Sequence, residues 1–144
     1  MSSSKFLATL VDSIAPGGVA TEAVTLPPAS LVGCDLALAA AMSGSSNLRA
    51  IVEVIAERAG SAEAFVGSKA SVRADNLETV QRDRPDQFAS LVTVTQAHYY
   101  THPQVLAALN WPARPPQPAG HALPPFDEGL LAPVRARGAI WREC

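Results

Sequence analysis

Charge is scarce in this sequence. Only 17% of its 144 residues are Asp, Glu, Lys or Arg, and they sum to −2. No run of Lys or Arg occurs, which argues against nucleic acid as the main partner. Cysteine is almost missing as well. Cys34 and Cys144 make neither a CxxC nor a zinc spacing, so a reduced compartment is a simpler expectation than a structural disulfide. No long apolar run is present: the greasiest stretch, Leu31 to Met42, contains Asp35 and is too short to span a bilayer. Before Asp12 there is neither a twin arginine nor a long apolar core, so a cytoplasmic location is expected, with a periplasmic one only if a partner carries the chain.

The signatures of catalysis are missing too. No Gly-x-Ser-x-Gly and no haem-attaching CxxCH can be found, and Gly17-Gly18 follows a helix rather than a strand, the wrong context for a phosphate loop. Catalysis by this chain alone is therefore not expected, and no catalytic, cofactor-binding or metal residue is assigned.

What remains favours helices. Apolar residues make up 48%, Ala is abundant and aromatics are only 6%, a composition suited to close helix packing. The expected fold is all-α: a small irregular helical bundle over 1–110 with an extended proline-rich arm over 111–144. Phe6, Leu7, Leu10, Val11 and Ile14 make the stripe of a first helix, with a Ser among residues 2 to 4 as cap and Pro16-Gly17-Gly18 as its stop. Val19 to Pro28 reads as a loop. A second helix runs from Pro27-Pro28-Ala29-Ser30 to about Met42, and its Ala and Leu all round suggest burial in mid-bundle. Ser45 or Ser46 caps a third helix with Leu48, Ile51, Val52 and Ile55 inward and Gly60 as its left-handed end. Ala62 to Val66 adds a turn. Asp75 to Arg82 is a short fourth helix whose alternating charges imply a solvated face with local ion pairs.

Phe88, Leu91, Val92, Thr95 and Tyr99 then recur at three and four, one face of a helix opened by Pro85 and ended near Thr101 by Pro103. Asp83 or Asp86 can serve its free amides, and a short helix from Gln104 to Asn110 follows. Eight of the twelve prolines lie from Pro103 onward, so the arm is expected extended, as a strap anchored by Trp111, Leu123, Phe126 and Trp141.

His98 and His102 stand at i and i+4 and could form half of a metal site, with His121 as a third ligand; a small stand-alone metal-binding or enzyme domain is the alternative function. The competing roles for them are capping and packing. Arg114, Arg135, Arg137 and Arg142 read as interface or carboxylate-pairing residues, and Tyr100, Trp111, Phe126 and Trp141 as core residues or interface anchors. A third reading is a ligand-binding or scaffold protein whose strap closes over a pocket.

The order Tyr99-Tyr100-Thr101-His102-Pro103, Ala108-Leu109-Asn110-Trp111-Pro112 and Arg114-Pro115-Pro116-Gln117-Pro118-Ala119-Gly120-His121 resembles the small subunits named after gluconate 2-dehydrogenase subunit 3. Ile14-Ala15-Pro16 is similar to that family's opening. The resemblance implies a non-catalytic helical subunit that binds and stabilises a large FAD-dependent dehydrogenase of the glucose-methanol-choline (GMC) type, which oxidises an alcohol or sugar. FAD would sit in the partner, and the heteromer would have no nucleic acid and no membrane span. The twin-arginine signal of many members is lacking here. The interface role carries over to Tyr99, Tyr100, Pro103, Trp111, Arg114, Pro116, Gln117 and Pro118, with Phe126 and Trp141 added as aromatic anchors.

Overall fold

A computed structural model describes residues 2–21, 24–111 and 127–138. They fall into two compact units, Met1–Ala113 and Arg114–Cys144. Within the first, the order is α1 (Ser2–Ile14), β1 (Gly18–Thr21), β2 (Val24–Leu26), a 3₁₀ turn (Ala29–Val32), α2 (Cys34–Gly44), α3 (Ser46–Arg58), α4 (Ala62–Gly67), α5 (Ala70–Asp83), α6 (Pro85–Thr101) and α7 (Pro103–Ala108). The second unit shows a 3₁₀ turn (Glu128–Leu131) running into α8 (Ala132–Ala136). The fold is an all-α small helical bundle with one minimal antiparallel hairpin.

Helix α6 is the hub of the first unit, since α2, α3, α5 and α7 all pack on it. Its expected stripe is the buried one: Phe88, Leu91, Thr95 and Tyr99 face inward. Against them lie Leu10 and Val11 of α1, Leu38 of α2, Ile51 and Ile55 of α3 and Val80 of α5, each at 0% exposure in one cluster. Full burial of such a side chain contributes about 1.5–3 kcal/mol, so these faces dominate the stability of the bundle. Thr95 is the polar member of the buried set, and its hydroxyl donates to Leu91 O (3.0 Å) along its own helix.

Local chemistry sets most of the boundaries. The Ser45 hydroxyl accepts from Leu48 N (3.3 Å) and that of Ser61 from Ala64 N (3.1 Å), so both serines cap helix starts. Gly60 takes φ +92° behind α3. Pro85 and Pro103 occupy first-turn positions of α6 and α7, where a missing N–H costs nothing.

Elsewhere the expectations need correction. Gly18–Thr21 and Val24–Leu26, expected within a loop, instead pair as two antiparallel strands, Gly18 with Leu26 and Val19 with Thr25, with an irregularity before Thr21. The expected second helix is broken at Gly33, which takes φ +78° between the 3₁₀ turn and α2. Helix α2 is not buried all round either: Cys34 and Leu38 face inward, but Leu36, Ala39 and Ala40 are exposed. Small apolar residues on every side let a helix lie at the surface without marking which side is wet. Helix α5 begins at Ala70, five residues before the expected start. The serines of residues 2 to 4 lie inside α1 rather than ahead of it, and Asp83 and Asp86 leave α6 without a side-chain cap. The charged segment on α5 does carry a local ion pair, Arg82 to Glu78, and a second pair reaches across to α3, Asp83 to Arg58, each at 3.0 Å and exposed. Such pairs contribute about 1 kcal/mol at most.

The chain between α1 and α2 is tied down at four points. Ala29 N donates to Ala15 O (3.0 Å). Asp12 accepts from Ser30 on both oxygens, from N and from Oγ at 2.7 Å each. The Tyr99 hydroxyl donates to Pro27 O at 2.6 Å. At the fourth point Gly17, at φ +70°, lies so close to Pro27 and Pro28 that a Cβ there would sit 2.5–2.7 Å from their backbone and Leu26 O.

Candidate functional site

The end of α6 sorts its aromatic and imidazole groups by their bonds. Tyr99 is 2% exposed, and with its hydroxyl on Pro27 O it fastens the hairpin to the helix. Burial raises its pKa above the ordinary phenol value, and neighbouring Tyr100 and Cys34 push the same way. Tyr99 therefore braces the end of the helix from behind. Tyr100 is the residue presented. It is 51% exposed, with its ring held edge-on against Tyr99 at a centroid distance of 5.1 Å. A hollow of about 220 Å³ opens beside it, lined by Gln96, Val19 and Leu26 together with Ile14 to Gly18.

His98 and His102 do lie near one another, with ring centroids 6.3 Å apart, but each is already employed. The 3.1 Å approach of His98 Nε2 to Val32 O requires a proton on Nε2, because a carbonyl only accepts. His102 caps α7, its Nδ1 accepting from Gln104 N at 3.3 Å. These are capping and packing roles. Among the described residues no group of three or more His, Cys, Asp and Glu is placed to hold a metal ion. His121 lies outside the described residues, as do Arg114, Pro116, Gln117, Pro118, Phe126 and Trp141. Cys34 is fully buried against Thr95 O (3.8 Å). Burial, with the negative charges of Asp35 and Asp12 behind it, pushes its thiol up to about 11, which makes it a poor nucleophile at neutral pH.

Charge is distributed unevenly along the chain and hence over the fold. More than half of all charged residues fall between Arg49 and Asp86, on α3, α4, α5 and the first turn of α6. Residues 87–113 carry no Asp, Glu, Lys or Arg. The rest of α6 and all of α7 are thus free of formal charge, and their exposed positions include Ala89, Ser90, Thr93, Gln96, Ala97, Tyr100, Pro103 and Gln104. Large apolar side chains stand out on this charge-poor side: Trp111 is 62% exposed, Leu109 39% and Val19 of the hairpin 77%. Leu31 and Leu36, on the 3₁₀ turn and helix that pack on α6, are each 69% exposed. Trp111 is held in place by its own N–H, which donates to Leu106 O at 2.8 Å and closes α7. Exposed aromatics on a rigid, uncharged support are the composition of an interface core rather than of an ordinary wet surface.

The sequence could not reveal this sorting of Tyr99 from Tyr100, which depends on where Pro27 comes to lie. The absence of charge from residues 87–113 was legible, and it is the signal that marks the face.

Comparison of the chain with protein-family models, curated proteins and solved structures finds no match to any of them. Among the described residues no helix is long and apolar enough to cross a membrane.

Proposed function

We propose that this chain is a non-catalytic accessory subunit, which docks through the uncharged end of α6 and α7 onto a large FAD-dependent dehydrogenase of the GMC type and stabilises it. The observation that carries the reading is the exposure of the large side chains Tyr100, Leu109, Trp111 and Val19, on elements from which charge is absent or nearly so. Leaving these side chains in water forfeits roughly 25 cal/mol for every Å² of apolar area a partner could cover. Two features suit them to be anchors. The Tyr100 ring is braced by buried Tyr99, and the backbone at Trp111 is fixed by its bond to Leu106, so little ring freedom at Tyr100 and little main-chain freedom at Trp111 is lost on docking. The naming of the partner rests on the Tyr-Tyr-Thr-His-Pro and Pro-Gln-Pro segments and their resemblance to the small-subunit family. In this reading the flavin and the oxidised alcohol or sugar belong to the partner, and this chain supplies surface.

Co-expression with a GMC-type flavoprotein from the same source, followed by size exclusion read at protein and flavin wavelengths, tests the proposal. Co-elution with a flavin-bearing chain is expected. Elution of the two proteins apart, with the flavoprotein stable and active alone, would overturn it.

A further inference from the structure

A cleft of about 580 Å³ with charged residues in its lining lies between α1 and the start of α5. That volume suits a small molecule. Its walls are apolar where Pro16, Pro28, Val66 and Ala70 line it, and it holds two cations, Lys5 and Arg73, against one carboxylate, Asp12. Its polar groups are largely committed. Both Asp12 oxygens accept from Ser30. Thr9 Oγ1 donates to Lys5 O at 2.9 Å, and Ser13 Oγ donates to Thr9 O at 2.8 Å while accepting from Arg73 Nε at 3.2 Å. Arg73 Nη1 donates to Ser68 O.

Two bonds therefore hold Arg73, one through Nε and one through Nη1, and no carboxylate among the described residues forms an ion pair with it. Its second terminal nitrogen, Nη2, has no acceptor among the described residues. Lys5 is exposed and also borders an adjoining hollow lined by Glu63, so it contributes positive charge at the rim while Arg73 is the fixed centre. A preorganised guanidinium with N–H groups to spare, beside an apolar wall, matches a planar anion carried on a hydrocarbon body.

We propose that this cleft binds a small organic monocarboxylate, its carboxylate on Arg73 and its apolar body against Pro16, Pro28 and Val66. The cleft shares Pro16 with the hollow beside Tyr100, but its charged centre, Arg73, lies outside that hollow, and binding there requires no partner. A structural staple alone would explain the two bonds of Arg73, so the test must detect the ligand itself.

The experiment titrates the full-length chain with sodium hexanoate, with its neutral isostere hexanamide and with sodium phosphate, following the Arg73 side-chain N–H and the backbone amides of Ser13 and Arg73 by NMR. Saturable shifts with hexanoate are expected, with affinity weaker by about tenfold or more for hexanamide, where the charge-assisted bond is lost. Arg73→Lys, which keeps the charge but not the fork, should weaken hexanoate by a similar factor. Ala70→Trp, at an exposed position that touches neither bond of Arg73, should abolish binding by filling the cleft while the remaining spectrum stays that of the folded chain. Equal response to hexanoate and hexanamide would overturn the role of Arg73. Equal response to phosphate and hexanoate would overturn the choice of ligand, and no saturable shift with hexanoate would overturn the site.

Discussion

Replacing Gly17 by Ala should be the most damaging single-methyl change in the first unit. Two costs combine there. A side chain at φ +70° enters the left-handed region, at about 1–2 kcal/mol. The added Cβ would also stand 2.5 Å from Pro28 N, 2.6 Å from Pro27 C and 2.7 Å from Leu26 O. All three are backbone atoms in a segment held by Tyr99, Ala15 and Asp12, so relief requires moving the chain by most of an ångström, an overpacking cost of about 1–3 kcal/mol. The sum is about 2–5 kcal/mol, which at roughly 3 °C per kcal/mol for a domain of this size lowers Tm by about 6–15 °C. Gly18→Ala serves as the control for strain, because φ there is +103° but nothing lies within 4 Å of its Cβ. It should cost only about 1–2 kcal/mol. Gly44→Ala, in open space at the end of α2 and without positive φ, should be neutral or stabilise by up to about 1 kcal/mol. Thermal unfolding of the three variants by circular dichroism gives the ranking. If Gly17→Ala loses no more than Gly18→Ala, the close crossing of Gly17 over Pro27 and Pro28 is refuted.

Three further expectations concern the same ties and the buried thiol. Tyr99→Phe removes the bond to Pro27 O and should cost about 1 kcal/mol in urea unfolding, with an unchanged helix signal; no loss would mean the bond does not contribute. Asp12→Ala leaves Ser30 N and Oγ without their acceptor and should cost about 2–3 kcal/mol, measured in the same way. Cys34 carries the pH dependence. Its pKa rises from 9.0 to about 11 on folding, so both states hold the proton below pH 9, and above it the unfolded chain loses its proton first. Stability then falls with rising pH between about 9 and 11, by up to about 1.4 kcal/mol per unit, and is unaffected by this group at neutral pH. Urea midpoints across that window should fall less steeply for Cys34→Ala than for the native chain, while the raised pKa of Tyr99 adds a decline in both above pH 10.

Helices with strong local punctuation were legible from the residues. Ser45, Gly60, Pro85 and Pro103 act through their own backbone and nearest neighbours, and each marks the boundary its chemistry implies. The strand pair Gly18–Thr21 and Val24–Leu26 was not legible, because strands of four and three residues have no alternation to read, and the segment just behind them, Pro27 to Ser30, is held by ties to Tyr99, Ala15 and Asp12 from outside. The first turn of α5 was missed for a related reason: its large apolar residue, Val72, is exposed, so no stripe announces it. At the candidate site the i, i+4 spacing of His98 and His102 did bring the rings together, yet Val32 O and Gln104 N determine what they do. The paired role of Asp12 with Ser30, and of Arg73 with Ser13, links residues far apart in sequence and left no periodic trace.

The central claim is that the uncharged end of α6 and α7 is where a flavoprotein docks. The most direct measurement compares Tyr100→Glu with Val72→Glu in co-expression with the GMC-type flavoprotein, reading flavin per mole of this chain in the purified peak. Both positions are about half exposed, at 51% and 52%, so neither charge should unfold the bundle, but Val72 lies on the charged helix α5. Tyr100→Glu is expected to strip the flavin from the peak while Val72→Glu keeps the native ratio. Retention of full flavin by Tyr100→Glu, or equal loss in both variants, would contradict the account.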